Sequence, residues 1–461
     1  MKQLFRDIWD AIRGYEYDLT KIKLGKAILL LSIPMVVEML MESFFAILDI
    51  YFVSRLGDEA ISVVGLTESL MTIVYAIGIG LAMATTGIVA RRIGEKRDRD
   101  ASIAASQAIL LGILISAFIA IPGIIFAKKI LGMMNAEQKV IDIGFSFTQI
   151  MLGGNFVIML LFINNAIFRS AGAPALSMRV LLVANAINIV LDPCLIFGIG
   201  PFPQLGVTGA AVATSIGRGI GVLYQFYLLF KHKSRIDLRL SDFILHLKVM
   251  WKVLYLSGGG ILQYLIATSS WVILYRILAD YKSEVIAGYT IAIRVFVFFL
   301  LPAWGFSNAA STLVGQNLGA KDPGRAERAV WYTSIVNSAY MLIAMLGFVI
   351  FPQYFIKLFS DGGKSYEVGV ACLQIMGYGM VFYGFGMIIA QAFNGAGDTY
   401  TPTVLNFICF WLIEIPLAYY LAKNSGMKEN GVFYSILISE TILAILGILV
   451  FLRGKWKLRT V

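Results

Sequence analysis

Runs of about twenty apolar residues recur along the whole chain. Each is long enough to cross the ~30 Å hydrocarbon core of a bilayer as a helix rising 1.5 Å per residue. No soluble core accommodates so many. Of the 461 residues, 59% are hydrophobic and 14% charged, where a soluble domain has about 45–50% and about 25%. Mean hydropathy is +0.79. The runs do not alternate apolar and polar residues with period two, which excludes a transmembrane β-barrel. The expected fold is an all-α polytopic membrane protein with about twelve spans. They are placed at 27–53, 60–90, 101–126, 139–167, 176–198, 206–231, 251–279, 284–312, 327–351, 367–393, 401–422 and 431–452. An even count puts both termini on one side.

Loop charge orients the array. With the termini in the cytoplasm, most of the 38 Lys and Arg residues fall in inner segments, notably 91–100, 231–252 and the two ends. Lys128 and Lys129 run against this trend. The net charge of +10 and the pI of about 9.3 then reflect loops near anionic lipid, and no nucleic-acid partner is implied. The first 26 residues are charged and lack the apolar core of a cleavable signal. Within them Leu4, Phe5, Ile8, Trp9 and Ile12 recur at helical spacing, which fits a short helix on the membrane surface; the alternative is an unstructured tail. Cys194, Cys372 and Cys409 lie in apolar segments at no metal-like spacing and read as packing residues.

The chain repeats itself. Glu59 and Ile61 recur as Glu284 and Ile286, and Gly80 and Gly94 as Gly305 and Gly319. Ala171 and Gly172 recur as Ala396 and Gly397, and Gly206 and Val207 as Gly431 and Val432. The offset is 225 in every pair, without a gap. A tandem duplication with an offset of six spans gives two pseudo-symmetric parallel six-helix lobes, a frame that places a transport site between them. The expected divisions are an N-terminal segment (1–26), a first lobe (27–231), a linker (232–250), a second lobe (251–452) and a tail (453–461).

Ionisable groups inside apolar spans are costly and mark function or pairing. Span one carries Glu38, Glu42 and Asp49. At 100° per residue, Glu42 lies about 40° and Asp49 about 20° round from Glu38, so the three share one stripe that faces a wet cavity or partners. Pro34 in the same span is a candidate helix bend. Pairing of one glutamate with Arg218 of span six is the structural alternative to a cavity role. Span five carries Asn188 and Asp192 one turn apart, followed by Pro193, and span six carries Thr214. Asp49 lies about 33 Å and Asp192 about 24 Å from the inner ends of their spans, and Thr214 about 12 Å from the outer end of its own. All four polar residues thus fall in the outer half of one lobe, where they suit a hard cation or a proton relay. The substrate cavity is assigned Glu38, Glu42, Asn165 and Gln263, the last standing where the repeat maps Glu38. The second lobe has no acid mapping to Asp49 or Asp192. Its intramembrane charges are Arg276, Arg294, Glu414 and Glu440. Arg294 and Glu414 are read as a structural ion pair, with Glu414 as a second coupling carboxylate the rival.

No catalytic constellation appears. His232 and His246 both lie in the linker, and no Gly-rich phosphate loop ends in Lys-Ser or Lys-Thr.

The ordered landmarks resemble the MATE (multidrug and toxic compound extrusion) family. They are Pro34, the stretch 48–57 around Asp49, 169–174, 188–193, 206–214, 315–320, 394–399 and 415–420. The resemblance runs from about residue 20 to 450. It implies a prokaryotic inner-membrane exporter, monomeric and without an organic cofactor. Two rocking lobes would carry amphipathic cations against sodium or protons. The family's first-lobe cation site maps onto Asp49, Asn188, Asp192 and Thr214, the pattern of the subgroup with acids in spans one and five; sodium there is the one metal this reading admits. A lipid-linked precursor flippase of the same broader fold is the main alternative. It would call for a basic cavity. A membrane-embedded enzyme would need a His, Cys or metal site, and a passive channel would not need the asymmetric carboxylates.

Overall fold

The computed structural model describes residues 2–15, 17–231 and 235–460. The expectations for the side chains of Leu4 and Phe5, and for His232 and Lys233, lie outside the described residues. A short helix α1 (Lys2–Arg13) comes first. The first lobe follows with α2 (Leu24–Ser54), α3 (Asp58–Gly94), α4 (Asp98–Met133), α5 (Gln138–Gly153), α6 (Asn155–Ser170), α7 (Pro174–Phe197) and α8 (Val207–Phe230). The second lobe has α9 (Leu247–Leu278), α10 (Ser283–Gly319), α11 (Pro323–Ile350), the single turn α12 (Pro352–Lys357), α13 (Gly363–Gly377) and α14 (Met380–Gly395). It ends with α15 (Tyr400–Asn406), a π-helical turn (Phe407–Glu414), α16 (Ile415–Lys423) and α17 (Glu429–Leu452). Taking α5 with α6, α13 with α14, and α15 to α16 as one crossing each gives twelve spans. Ten are long, apolar crossings and the bent pair α13–α14 is an eleventh. The twelfth, α8, is 24 residues long and less apolar because it carries Arg218 and Gln225.

The duplication is visible element by element. Helices α3 and α10 start at residues 58 and 283 and end at 94 and 319, so they keep the offset of 225 at both ends. The fourth span breaks at Gly154 and the tenth at Gly379, again 225 apart. After each following helix the chain turns at Gly172 (φ +85°) and Gly397 (φ +83°), a left-handed conformation that L side chains adopt at a cost. The span limits read from the sequence carry no sign of either break: the tenth bends by 56°. The π turn in span eleven was equally unforeseen. Pro34, by contrast, sits inside an uninterrupted α2, so its missing N–H opens the ladder locally without ending the helix.

The lobes meet through α2, α3, α9 and α10. Glycines let the backbones touch: a Cβ on Gly87 would stand 2.9 Å from the carbonyl oxygen of Asn394, and one on Gly305 would stand 2.8 Å from the nitrogen of Val36. Contact is tightest at the end that carries the termini. There Gly94 meets Gln316 and Gly319 meets Arg91, and the Gln316 amide donates to the Ser170 carbonyl at 2.8 Å. The N-terminal segment straps this end. Lys26 pairs with Asp7 (3.2 Å) and Asp10 (3.3 Å) of α1. Arg179 of α7 donates to the Arg13 carbonyl at 2.7 Å, and Arg325 of α11 to the Leu19 carbonyl at 3.1 Å. Helix α1 turns its acids inward and leaves Trp9 and Ile12 exposed. The connection between the lobes is tied down too. Arg99 pairs with Asp242 at 2.8 Å, and Gln107 donates to the carbonyls of Asp242 and Ile244 at 3.0 and 2.9 Å.

Candidate functional site: a cavity between the lobes

A cavity of about 570 Å³ lies between the lobes, built mainly by α2, α3, α6, α8 and α10. Ile50, Val53, Ile61 and Val64 line it near the α2–α3 turn, and Glu38, Asn165 and Arg169 lie at its deep end, toward the closed terminal end. Its walls are aromatic and sulfur-rich, with Phe45, Tyr75, Tyr264, Trp304, Met39 and Met83. Such surfaces grip flat amphipathic molecules without fixing one shape.

The stripe of three carboxylates on α2 does face this cavity, and each acid meets a different environment. Glu38 is 1% exposed. It accepts from Arg169 (3.1 Å), Ser177 (2.9 Å) and Asn165 (3.4 Å), while Asn165 in turn accepts from Gln225 at 2.7 Å. Glu42 pairs with Arg218 at 3.1 Å, and the Arg218 guanidinium also lies over the Phe45 ring. Asp49 Oδ1 is buried and has no hydrogen-bond partner among the described residues.

Behind Asp49, α7 and α8 bring the remaining first-lobe candidates together. The Asn188 amide donates to Asp192 Oδ2 at 2.7 Å and accepts from the Thr214 hydroxyl (3.2 Å) and backbone nitrogen (3.0 Å). Asp192 Oδ1 is buried without a partner. The Asp49 and Asp192 carboxylates act on each other electrostatically. Two orphaned carboxylate oxygens, an amide and a hydroxyl form a donor set that suits a proton or a hard monovalent cation.

Other candidates part company. Gln263 is buried in α9 and does not wall the cavity: the repeat fixes its position along the helix, while packing against the other lobe fixes its surroundings. Arg294 and Glu414 do not pair. Arg294 is exposed to the cavity, whereas Glu414 is 1% exposed inside the second lobe, because the π turn carries it toward α9 and α17. Sequence reasoning missed Glu68 of α3, a cavity-facing carboxylate with no ion pair among the described residues. Its signal was the same as that of Glu38: an acid within an apolar span. Arg169 lies just beyond the fourth span as placed from the sequence (139–167), among the charges of the following loop. The signal that it reaches inward was its place at the end of a long apolar run.

A twelve-span, two-lobed helical protein with a walled cavity at the lobe interface is a membrane transporter in architecture. The chain belongs to the MatE family, whose model matches twice, over residues 34–194 and 260–420, once for each half. Proteins of that family are transporters and not enzymes. The probable multidrug resistance protein NorM of Thermotoga maritima is 25% identical over 443 residues, 95% of this chain and 94% of its own. The FAD transporter of Shewanella oneidensis is 25% identical over 430 residues, 93% of this chain and 94% of its own. A solved structure, that of MATE in complex with MaL6, superposes with a TM-score of 0.89 at 24% identity, covering 96% of this chain and 99% of that one.

Proposed function

We propose that the protein is a secondary exporter of amphipathic organic cations in the inner membrane of a prokaryote. It would work as a monomer with both termini in the cytoplasm, by alternating access. One observation carries the substrate charge. Once Glu38–Arg169 and Glu42–Arg218 have paired off, the cavity lining is left, among the described residues, with two acids outside any ion pair, Asp49 and Glu68, against one such base, Arg294. A cation entering the aromatic walls therefore meets net negative charge, and its desolvation is offset by those acids and by the ring faces. The resistance proteins among the relatives support export. With the termini inside, the closed end is cytoplasmic and the cavity opens outward, a state suited to release.

Coupling is assigned to Asp49, Asn188, Asp192 and Thr214. A proton or sodium ion bound there from outside neutralises Asp49, removes part of the attraction for the cargo and so favours its release. The test is dye transport in proteoliposomes with sodium and proton gradients imposed separately. Export driven by one gradient and lost in Asp49→Asn is expected; transport that ignores both gradients overturns the assignment.

A second reading rests on Arg294, which has no acid partner among the described residues and faces the cavity, and on the relative named as an FAD transporter. It gives the cavity an anionic amphipath, the charge class that a lipid-linked precursor would also present. Arg294→Ala separates the readings: cation export persists or improves under the first, and anion transport is lost under the second.

A further inference from the structure

The second lobe buries two carboxylates that the central cavity does not use. Glu414 closes the π turn of span eleven and Glu440 lies in α17; they are 1% and 8% exposed. Glu440 sits about 17 Å from the start of its helix, near mid-membrane. The two acids act on each other, and among the described residues no Lys, Arg or His pairs with either. The charged groups on neighbouring helices look elsewhere: Arg294 faces the cavity, and Arg276 is exposed and acts on Asp280 at the end of α9.

Hydroxyls and aromatic rings surround the two acids. Ser270 of α9 and Ser439 of α17 lie beside Glu414. Their hydroxyl protons already go to the carbonyls of Ala267 (2.9 Å) and Ile436 (3.0 Å) on their own helices. Both hydroxyls can also turn toward Glu414, so the serines do not set its charge; what weighs on it is burial with no base beside it among the described residues, which makes a bare carboxylate costly. Among the described residues Glu414 Oε2 and the Tyr289 hydroxyl have no hydrogen-bond partner, while the Tyr383 hydroxyl lies against Glu440. These two phenols are 0% and 5% exposed; Tyr383 acts on both acids and Tyr289 on Glu414. Rings close the surroundings. Tyr289 stacks on Phe433 with centroids 5.9 Å apart, and Tyr383 meets the Phe296 ring edge-on at 5.1 Å. Cys409 is the remaining titratable neighbour. Buried, aromatic surroundings of this kind disfavour a hydrated metal cation and suit a proton.

The duplication adds an independent argument. Ser439 stands at the position of Thr214, 225 residues on. The counterpart of Asn188 is Ile413, next to Glu414. Both lobes thus place a polar cluster on the same two helices: α7 and α8 in the first, span eleven and α17 in the second. The π turn, which adds a residue to the helical turn, is a feature often found at functional sites.

We propose that Glu414 and Glu440 form a second proton site inside the second lobe, where one of the two carboxyls holds a proton that exchanges with solvent as the lobe rearranges. The site does not depend on which compound the central cavity carries.

The test uses the full-length wild-type protein in liposomes, without any transport substrate. Dicyclohexylcarbodiimide reacts with protonated carboxyls in apolar surroundings, and mass spectrometry maps the adducts. Labelling at Glu414 or Glu440 is expected, falling about tenfold per pH unit above the midpoint of the site. Infrared titration supplies the second measurement. A carboxylic-acid carbonyl band that fades as the pH rises should be present in wild type and absent from Glu414→Gln/Glu440→Gln. Three outcomes overturn the proposal: no labelling at either residue, labelling that does not change with pH (a fixed structural acid), or labelling suppressed by sodium at constant pH (a metal-cation site). Because no substrate is added, failure here is separate from failure of the export reading.

Discussion

Glu38 and Glu42 sit one turn apart on α2, and neutralising them has unequal consequences. Glu38→Gln leaves the Arg169 guanidinium, only 10% exposed, without its countercharge in the lobe core. Breaking a buried pair from one side costs about 3–5 kcal/mol, so the variant is expected to unfold at a clearly lower temperature in detergent. Glu42→Gln also strands a nearly buried guanidinium, Arg218 at 12% exposed, but Glu68 stands near it as a second countercharge, so the loss should be the smaller one of a charged hydrogen bond, about 1.5–3 kcal/mol. Function divides differently. Asp49→Asn and Asp192→Asn should each abolish gradient-driven export while leaving folding intact, since each has a buried oxygen without a partner and, among the described residues, neither is in an ion pair. Thr214→Ala removes one neutral hydrogen bond, worth about 0.5–1.5 kcal/mol, and should lower transport by about tenfold at most. Much of this stripe was legible from 100° spacing alone. The partners were not. Arg169 is 131 positions from Glu38 and Arg218 is 176 from Glu42, and only the rotation of α6 and α8 about their axes decides which acid each arginine meets.

Helix boundaries and the repeat were readable because hydrophobic length and an ungapped offset are properties of the chain itself. The break at Gly154, the bend at Gly379 and the π turn at Phe407–Glu414 were not, because each answers to packing on a neighbour. Close helix approach supplies a test at this scale. A Cβ on Gly87 would press on the backbone of Asn394 and Gly397 in the other lobe. Gly87→Val should therefore weaken the closed terminal end by about 1–3 kcal/mol. Residues there, such as Ser170, would become more reactive to a membrane-impermeant thiol reagent after substitution by cysteine. Gly219 of α8 has open space where its Cβ would be. Gly219→Ala should instead stabilise the helix by about 0.5–1 kcal/mol, read as a higher melting temperature with transport unchanged.

Across the whole molecule, one end is latched and the other holds the cavity, so transport requires the latch to open. Three kinds of contact hold it: glycine-mediated backbone approach, the Gln316–Ser170 hydrogen bond, and the N-terminal strap that joins α1, α2 and α7 to Arg325 of the second lobe. The strap uses hydrogen bonds from charged donors, worth about 1.5–3 kcal/mol each. That is enough to shift a two-state equilibrium by about tenfold or more and too little to lock it. Arg325→Ala should thus raise the fraction of molecules open at the terminal end without unfolding them. A permanent link should do the opposite. With Cys194, Cys372 and Cys409 replaced by alanine, Ser170→Cys and Gln316→Cys place two thiols across the lobe boundary. A short bifunctional crosslinker is then expected to stop turnover while the cavity still binds a fluorescent cation from the open side, and cleaving the linker should restore transport. Undiminished transport in the fully crosslinked protein would show that the lobes need not separate here, and alternating access through this end would have to be abandoned.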